Sequence, residues 1–169
     1  MTGVSIYFLL PLLLVVALFQ TTILPEITIL GVKPELMLLV VLAWSLLRKA
    51  EEGLFWAFLG GLTLDIFSGG PFGASALALL VISFIAGRVE ASTIRTSFLL
   101  PMAAALAGTL LYQVLFLLII QLIRGAVPWI DSLLGVILPS LAVNTLLMPV
   151  IFRLAVWLDR KTGRPEIRW

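Results

Sequence analysis

GGLTLDIFSGGPFGASALALL, residues 60–80, decides how this chain is read. Two apolar runs flank the turn Ser68-Gly69-Gly70-Pro71, and a carboxylate, Asp65, stands at the end of the first run. Apolar runs joined through a glycine-proline turn make a helical hairpin. The rest of the chain sets its solvent. Of 169 residues, 62% are hydrophobic and 12% charged, half of the roughly 25% charge usual in soluble domains. Mean hydropathy is +1.19. A soluble fold cannot cover that much apolar surface, so the chain reads as an integral membrane protein whose spans are helices that satisfy their own backbone.

Cysteine and histidine are both absent. That removes thiol nucleophiles, disulfides, Ser-His dyads and nearly every imidazole or thiolate metal site. The carboxylates are scattered, so no aspartyl pair for intramembrane proteolysis suggests itself. The expectation is a non-enzyme with no cofactor, no metal and no nucleic-acid partner.

Working outward from the hairpin, six spans are predicted in one domain, residues 1–158. They are Val4–Leu24, Pro34–Leu47, Gly53–Phe67, Phe72–Gly87, Phe98–Ile123 and Leu133–Leu158. The first has no Lys or Arg before it and no small-x-small cleavage site after it, so it reads as a retained span rather than a signal peptide. The second is only about 21 Å long as a helix, against a hydrocarbon core of roughly 30 Å. Pro25–Lys33 is therefore read as irregular chain dipping into the outer interface, with Pro34 at the first helical position and Glu35 favoured by the dipole there. Pro139 and Pro149 should kink the sixth span.

Arg48, Lys49, Arg88, Arg95, Arg153, Arg160, Lys161, Arg164 and Arg168 fall on one side of these spans; only Lys33 and Arg124 fall on the other. The positive-inside rule then puts both termini in the cytoplasm. Trp44, Trp56 and Trp157 lie at the cytoplasmic ends of their spans, as interfacial anchors would, and Trp129 lies in an outer loop. Residues 159–169 form a short basic tail, read either as an anchor near anionic lipid or as a docking peptide.

Four groups of candidate functional residues emerge. Ala57, Gly60, Gly61 and Asp65 share one face of the third span, and small residues let another helix approach, from this chain or from a partner. Asp65 itself either caps the hairpin or contacts a partner or ligand. As a cap it would accept from the N–H groups of Ser68 to Gly70, or face the start of the fourth span, where Pro71 and Gly73 suit a helix N-terminus. Gln20, Thr21, Thr22, Gln121 and Arg124 lie near the outer ends of spans one and five, where they either line an outward polar depression or stand independently; Arg124 is a candidate counter-ion for Asp65. Gln113 and Asn144, at similar depth in spans five and six, are expected to form an interhelical hydrogen bond.

In order and spacing these features resemble the rod shape-determining MreD family. The residues that carry the resemblance are Gln20, the stretch ILPEITILGVKPELMLLVVL at residues 23–42, the loop RKAEEG at 48–53, and the run from Gly61 to Gly73 with its Asp65, Ser68, Gly69 and Pro71. Glu35 departs from the pattern, which resembles Pro followed by Asp or Asn. The resemblance implies a non-enzymatic scaffold of the bacterial elongasome in the cytoplasmic membrane, coordinating lateral peptidoglycan synthesis. Its direct partner would be MreC, with MreB, RodA and a class B penicillin-binding protein in the same assembly. The family is also similar in architecture to the substrate-binding subunits of energy-coupling-factor transporters, which makes a vitamin-like binding subunit the leading alternative. A binder of membrane lipid or a lipid-linked precursor is a third, resting on Arg124 alone.

Overall fold

The computed structural model describes residues 6–26, 31–48, 50–88 and 99–162, and these are helical almost throughout. Helix α1, Ile6–Leu18, continues through a π-helical turn, Phe19–Ile23, and a 3-10 turn, Leu24–Glu26. Helix α2 is Leu36–Leu47, α3 is Ala50–Ser68, α4 is Ala74–Ala86 and α5 is Leu99–Arg124. Helix α6 opens with Trp129–Ser132, widens into a π stretch, Leu133–Ile137, and runs on as Leu138–Thr162. The π stretch lies just before Pro139, whose missing N–H and bulky ring disfavour an ordinary α-turn there. Pro149 is accommodated inside the α-helical part. Helices α5 and α6 are long and apolar enough to cross a membrane.

Helix α2 is the axis of the bundle. It touches each of the other five helices, and ten of its twelve residues are buried. A helix apolar on every side can be buried on every side, and LMLLVVLAWSLL meets that condition. This placement overturns the interfacial reading of two tryptophans. Trp44 and Trp56 are each 2% exposed and stack at 4.5 Å between ring centroids, inside the core. A side chain on the central helix has no lipid to reach, and its ring finds an aromatic partner on α3 instead. Trp157 differs: it is 52% exposed, with the Lys161 ammonium 4.2 Å from its ring.

Hydrocarbon solvent gives apolar helices no incentive to associate, so close packing at small residues has to hold them. On α3 the buried residues are Gly53, Trp56, Ala57, Gly60, Gly61, Leu64 and Asp65, one stripe at helical spacing. A Cβ at Gly61 would stand 2.3 Å from Ala76 Cα and 2.7 Å from Ala76 N, so α3 and α4 touch backbone to backbone. A Cβ at Gly53 would meet Ser45 Oγ at 2.8 Å and Ser83 Oγ at 2.9 Å, and those two hydroxyls bond each other at 2.7 Å, joining α2 to α4.

At the Arg48 end, α6 is clasped to the core. Arg48 Nε lies 2.6 Å from Asp159 Oδ1, and Arg48 Nη1 lies 3.9 Å from Glu52 Oε2. A cation at the C-cap of α2 also suits the negative end of that helix dipole. Helix α6 thus runs four residues past Leu158, and Asp159 belongs to the packed bundle rather than to a tail. Lys49, Arg95, Arg164, Arg168 and the rest of the predicted tail from residue 163 lie outside the described residues.

Candidate functional site

The short helix α2 begins inside the bundle, and α4 begins just after the exposed turn that follows α3, with its first residues Ala74, Ser75 and Ala76 buried. Their buried N-termini gather most of the polar side chains singled out in the sequence. A helix start leaves amide hydrogens without intrahelical partners, and away from water these need acceptors from elsewhere in the fold.

At α4 the acceptor is Asp65. Its Oδ2 accepts from Gly73 N at 2.9 Å and Ala76 N at 3.3 Å, and its Oδ1 accepts from Ser75 N at 3.0 Å. The side chain is 4% exposed. Of the two cap geometries left open by the sequence, this is the one facing the fourth span; in the turn itself Gly70 N donates to Ser68 Oγ instead, at 3.4 Å. Gly73, at the N-cap of α4, has φ 91°, a left-handed conformation that glycine alone adopts without strain. Pro71 O accepts from Ala74 N at 3.1 Å and closes the turn. From α5, Tyr112 Oη donates to Ser75 Oγ at 3.2 Å.

At α2 the arrangement is a cage around Glu35. Gln113 Nε2 on α5 donates to Glu35 Oε1 at 2.5 Å, and Asn144 Nδ2 on α6 donates to Glu35 Oε2 at 3.3 Å. Asn144 Oδ1 in return accepts from the Glu35 backbone N–H at 3.0 Å, while its Nδ2 also donates to Thr109 Oγ1 at 3.3 Å. Gln20 Oε1 accepts from Met37 N at 2.7 Å. Gln113 and Asn144 therefore meet on Glu35 and not on each other, which corrects the interhelical pair expected from sequence.

The position of this cage along the helices is as informative as its bonds. Gln113 lies eleven residues before Arg124, the last residue of α5, about 16 Å from that end at 1.5 Å per residue. Glu35 is thus held near the middle of the two longest helices. The twelve-residue α2, about 18 Å long, does not run the height of the bundle. Its shortness is met by chain that descends to mid-height before the helix begins, with Val32 and Pro34 buried.

The small-residue face is occupied from within: Ala57, Gly60 and Gly61 are all buried by other helices of the same chain. The outer depression is not assembled as one site. Gln20 turns inward to α2, and Thr21 Oγ1 donates to Ala17 O at 2.8 Å within its own helix. Thr22 is exposed, and Gln121 Oε1 accepts from Trp129 Nε1 at 2.9 Å across the turn between α5 and α6. The Arg124 side chain, and with it the expected pairing to Asp65, lies outside the described residues. Sequence reading missed the role of Glu35. The signal available was a carboxyl directly after Lys33-Pro34 in a chain whose only mid-span amides, Gln113 and Asn144, lacked partners. Among the described residues, no group of three or more acidic side chains is placed to hold a metal ion.

What these buried groups do chemically is accept and donate hydrogen bonds among themselves and to helix N-termini. A model of one protein family, described as rod shape-determining protein MreD, matches residues 2–158. No curated protein and no solved structure matches.

Proposed function

Because the chain belongs to the rod shape-determining protein MreD family, a family of structural membrane proteins and not of enzymes, and so takes part in determining rod shape, we propose that it acts as a multi-pass scaffold of the elongasome. In this reading six helices span the bacterial cytoplasmic membrane, both termini face the cytoplasm, and MreC is the direct partner. MreB, RodA and a class B penicillin-binding protein belong to the same assembly, and the complex coordinates lateral peptidoglycan synthesis.

The observation that carries the scaffold reading is where the polar groups go. Asp65 binds the start of α4, while Glu35, Gln113, Asn144 and Gln20 serve the start of α2. A vitamin-like ligand needs several polar groups converging on open space; here they converge on each other and leave an apolar exterior suited to other membrane helices. The nine-to-two split of Lys and Arg supports the orientation.

Purification of the full chain from its native membrane in mild detergent, with identification of co-purifying membrane proteins, tests this reading. Recovery of a single-span protein with an extracytoplasmic domain is the expected result. Recovery of an ATPase module in its place supports the transporter-subunit alternative and overturns the scaffold.

A further inference from the structure

The α3–α4 hairpin is shorter than the α5–α6 hairpin, and the difference shows at its turn. At the opposite end the helices are level: a Cβ at Gly87, the C-cap of α4, would stand 2.9 Å from Ala50 Cα at the start of α3, and nearby Arg48 pairs with Asp159 on α6. From there α4 rises through 13 residues, about 20 Å, to the turn in which Ser68 and Gly69 are exposed. Its height on α5 is fixed by two contacts. Tyr112 Oη donates to Ser75 Oγ at 3.2 Å, and a Cβ at Gly70 would lie 3.8 Å from Phe116 Cζ. Helix α5 runs on from Phe116 to Arg124, about 12 Å further. Over that height α5 and α6 stay apolar outward, with Leu118, Leu122, Ile123, Ile130, Leu133 and Leu134 exposed.

In a flat bilayer with a hydrocarbon core of roughly 30 Å, no depth suits both hairpins. If the apolar tips of α5 and α6 lie in hydrocarbon, so does the turn at residues 68–70, and irregular backbone facing lipid is left without hydrogen-bond partners. Raising the bundle until the turn meets the outer surface puts those tips in water and draws Arg88 into hydrocarbon. Arg88 does not escape by extending, since its guanidinium folds back over the Phe84 ring at 4.3 Å. We propose that the protein thins the bilayer along α3 and α4, where the outer leaflet dips by on the order of 10 Å and brings headgroups and water to the turn at residues 68–70. The proposal rests on the reading above that the helices span the membrane, and adds the shape of the membrane around them. Lipid is the occupant of this side: Leu77, Val81, Phe84 and Ile85 make an exposed apolar stripe along α4, and from Leu77 to Ile85 it is only about 12 Å high.

The chain has no cysteine, so Ser68→Cys, Val81→Cys and Leu118→Cys each give the full chain one site for a nitroxide spin label. All three positions are exposed. In dioleoylphosphatidylcholine vesicles at large lipid excess, collision with oxygen reports hydrocarbon and collision with a water-soluble nickel chelate reports water. Ser68 and Leu118 stand at nearly the same height, so a flat membrane gives them the same environment. The thinned membrane gives dominant nickel collision at Ser68 and dominant oxygen collision at Leu118 and Val81. Nickel at both Ser68 and Leu118, or oxygen at both, overturns the thinning and leaves the spanning reading standing. A Val81 label shielded from both reagents shows protein rather than lipid against α4 and overturns the thinning as well. Dominant nickel collision at Val81 overturns the spanning reading itself, and this proposal with it.

Discussion

Asp65 holds three amide hydrogens with two oxygens while almost wholly removed from solvent. Replacement by Asn keeps one acceptor oxygen and turns an amine toward at least one N–H, so Asp65→Asn should cost about 1 kcal/mol; Asp65→Leu leaves all three donors stranded and should cost about 3 kcal/mol. Thermal midpoints in detergent should therefore rank the parent above Asn, and Asn above Leu. A Leu variant as stable as the parent refutes the cap. Glu35 gives a second residue-level prediction. Its carboxyl accepts from both Gln113 and Asn144, so removing the carboxyl strands the Gln113 amide and takes one bond from Asn144, while removing Asn144 strands one carboxyl oxygen and the Glu35 N–H. Glu35→Leu and Asn144→Leu should be strongly non-additive, with the double variant recovering about 1 kcal/mol or more relative to the sum of the singles. Strict additivity excludes the cage. Asp65 was conspicuous in the sequence because acids seldom end an apolar run. Glu35 was not, since a residue following Pro34 reads equally well as an ordinary first-turn acid, and its partners are 78 and 109 residues away.

At the scale of elements, the helices formed where apolar runs lay between turn signals, with boundaries shifted by a few residues. Which way each helix faces was harder to read. On α3, Ala57, Gly60 and Gly61 marked a packing face because small residues permit close approach, but they carry no indication of whose helix approaches. The α3–α4 contact answers that, since Gly61 meets the backbone of Ala76. Gly61→Ala should cost roughly 1–3 kcal/mol, as overpacking of a tight contact does, and lower abundance with partner recovered per molecule unchanged. Ala76→Gly should not rescue it, because the obstructing atoms are backbone. Loss of partner at normal abundance points instead to an intermolecular face. The tryptophans teach the complementary lesson: an aromatic ring near a helix end has the same sequence signature whether it is exposed, as Trp157 is, or lies in the core, as Trp44 and Trp56 do.

For the whole molecule, the proposed topology is tested with reporters. A fusion after Trp169 should report the cytoplasm, and an insertion between Gly69 and Gly70, in the exposed turn between α3 and α4, should report the outside. The opposite outcome at either site overturns the orientation. What the sequence by itself determined was the apolar solvent and the number of helices, because hydropathy and turn residues are local properties summed along a chain. What only the tertiary structure decided was that α2 is the axis and that its N-terminus is buried at mid-height, where Glu35, Gln113, Asn144 and Gln20 come together. These helices are all predominantly apolar, with no distinctly polar side to set one apart, so hydrophobic patterning cannot choose the central helix. The choice falls to close packing at Gly53, Gly60 and Gly61 and to hydrogen bonds across long sequence separations, neither of which has a local signature.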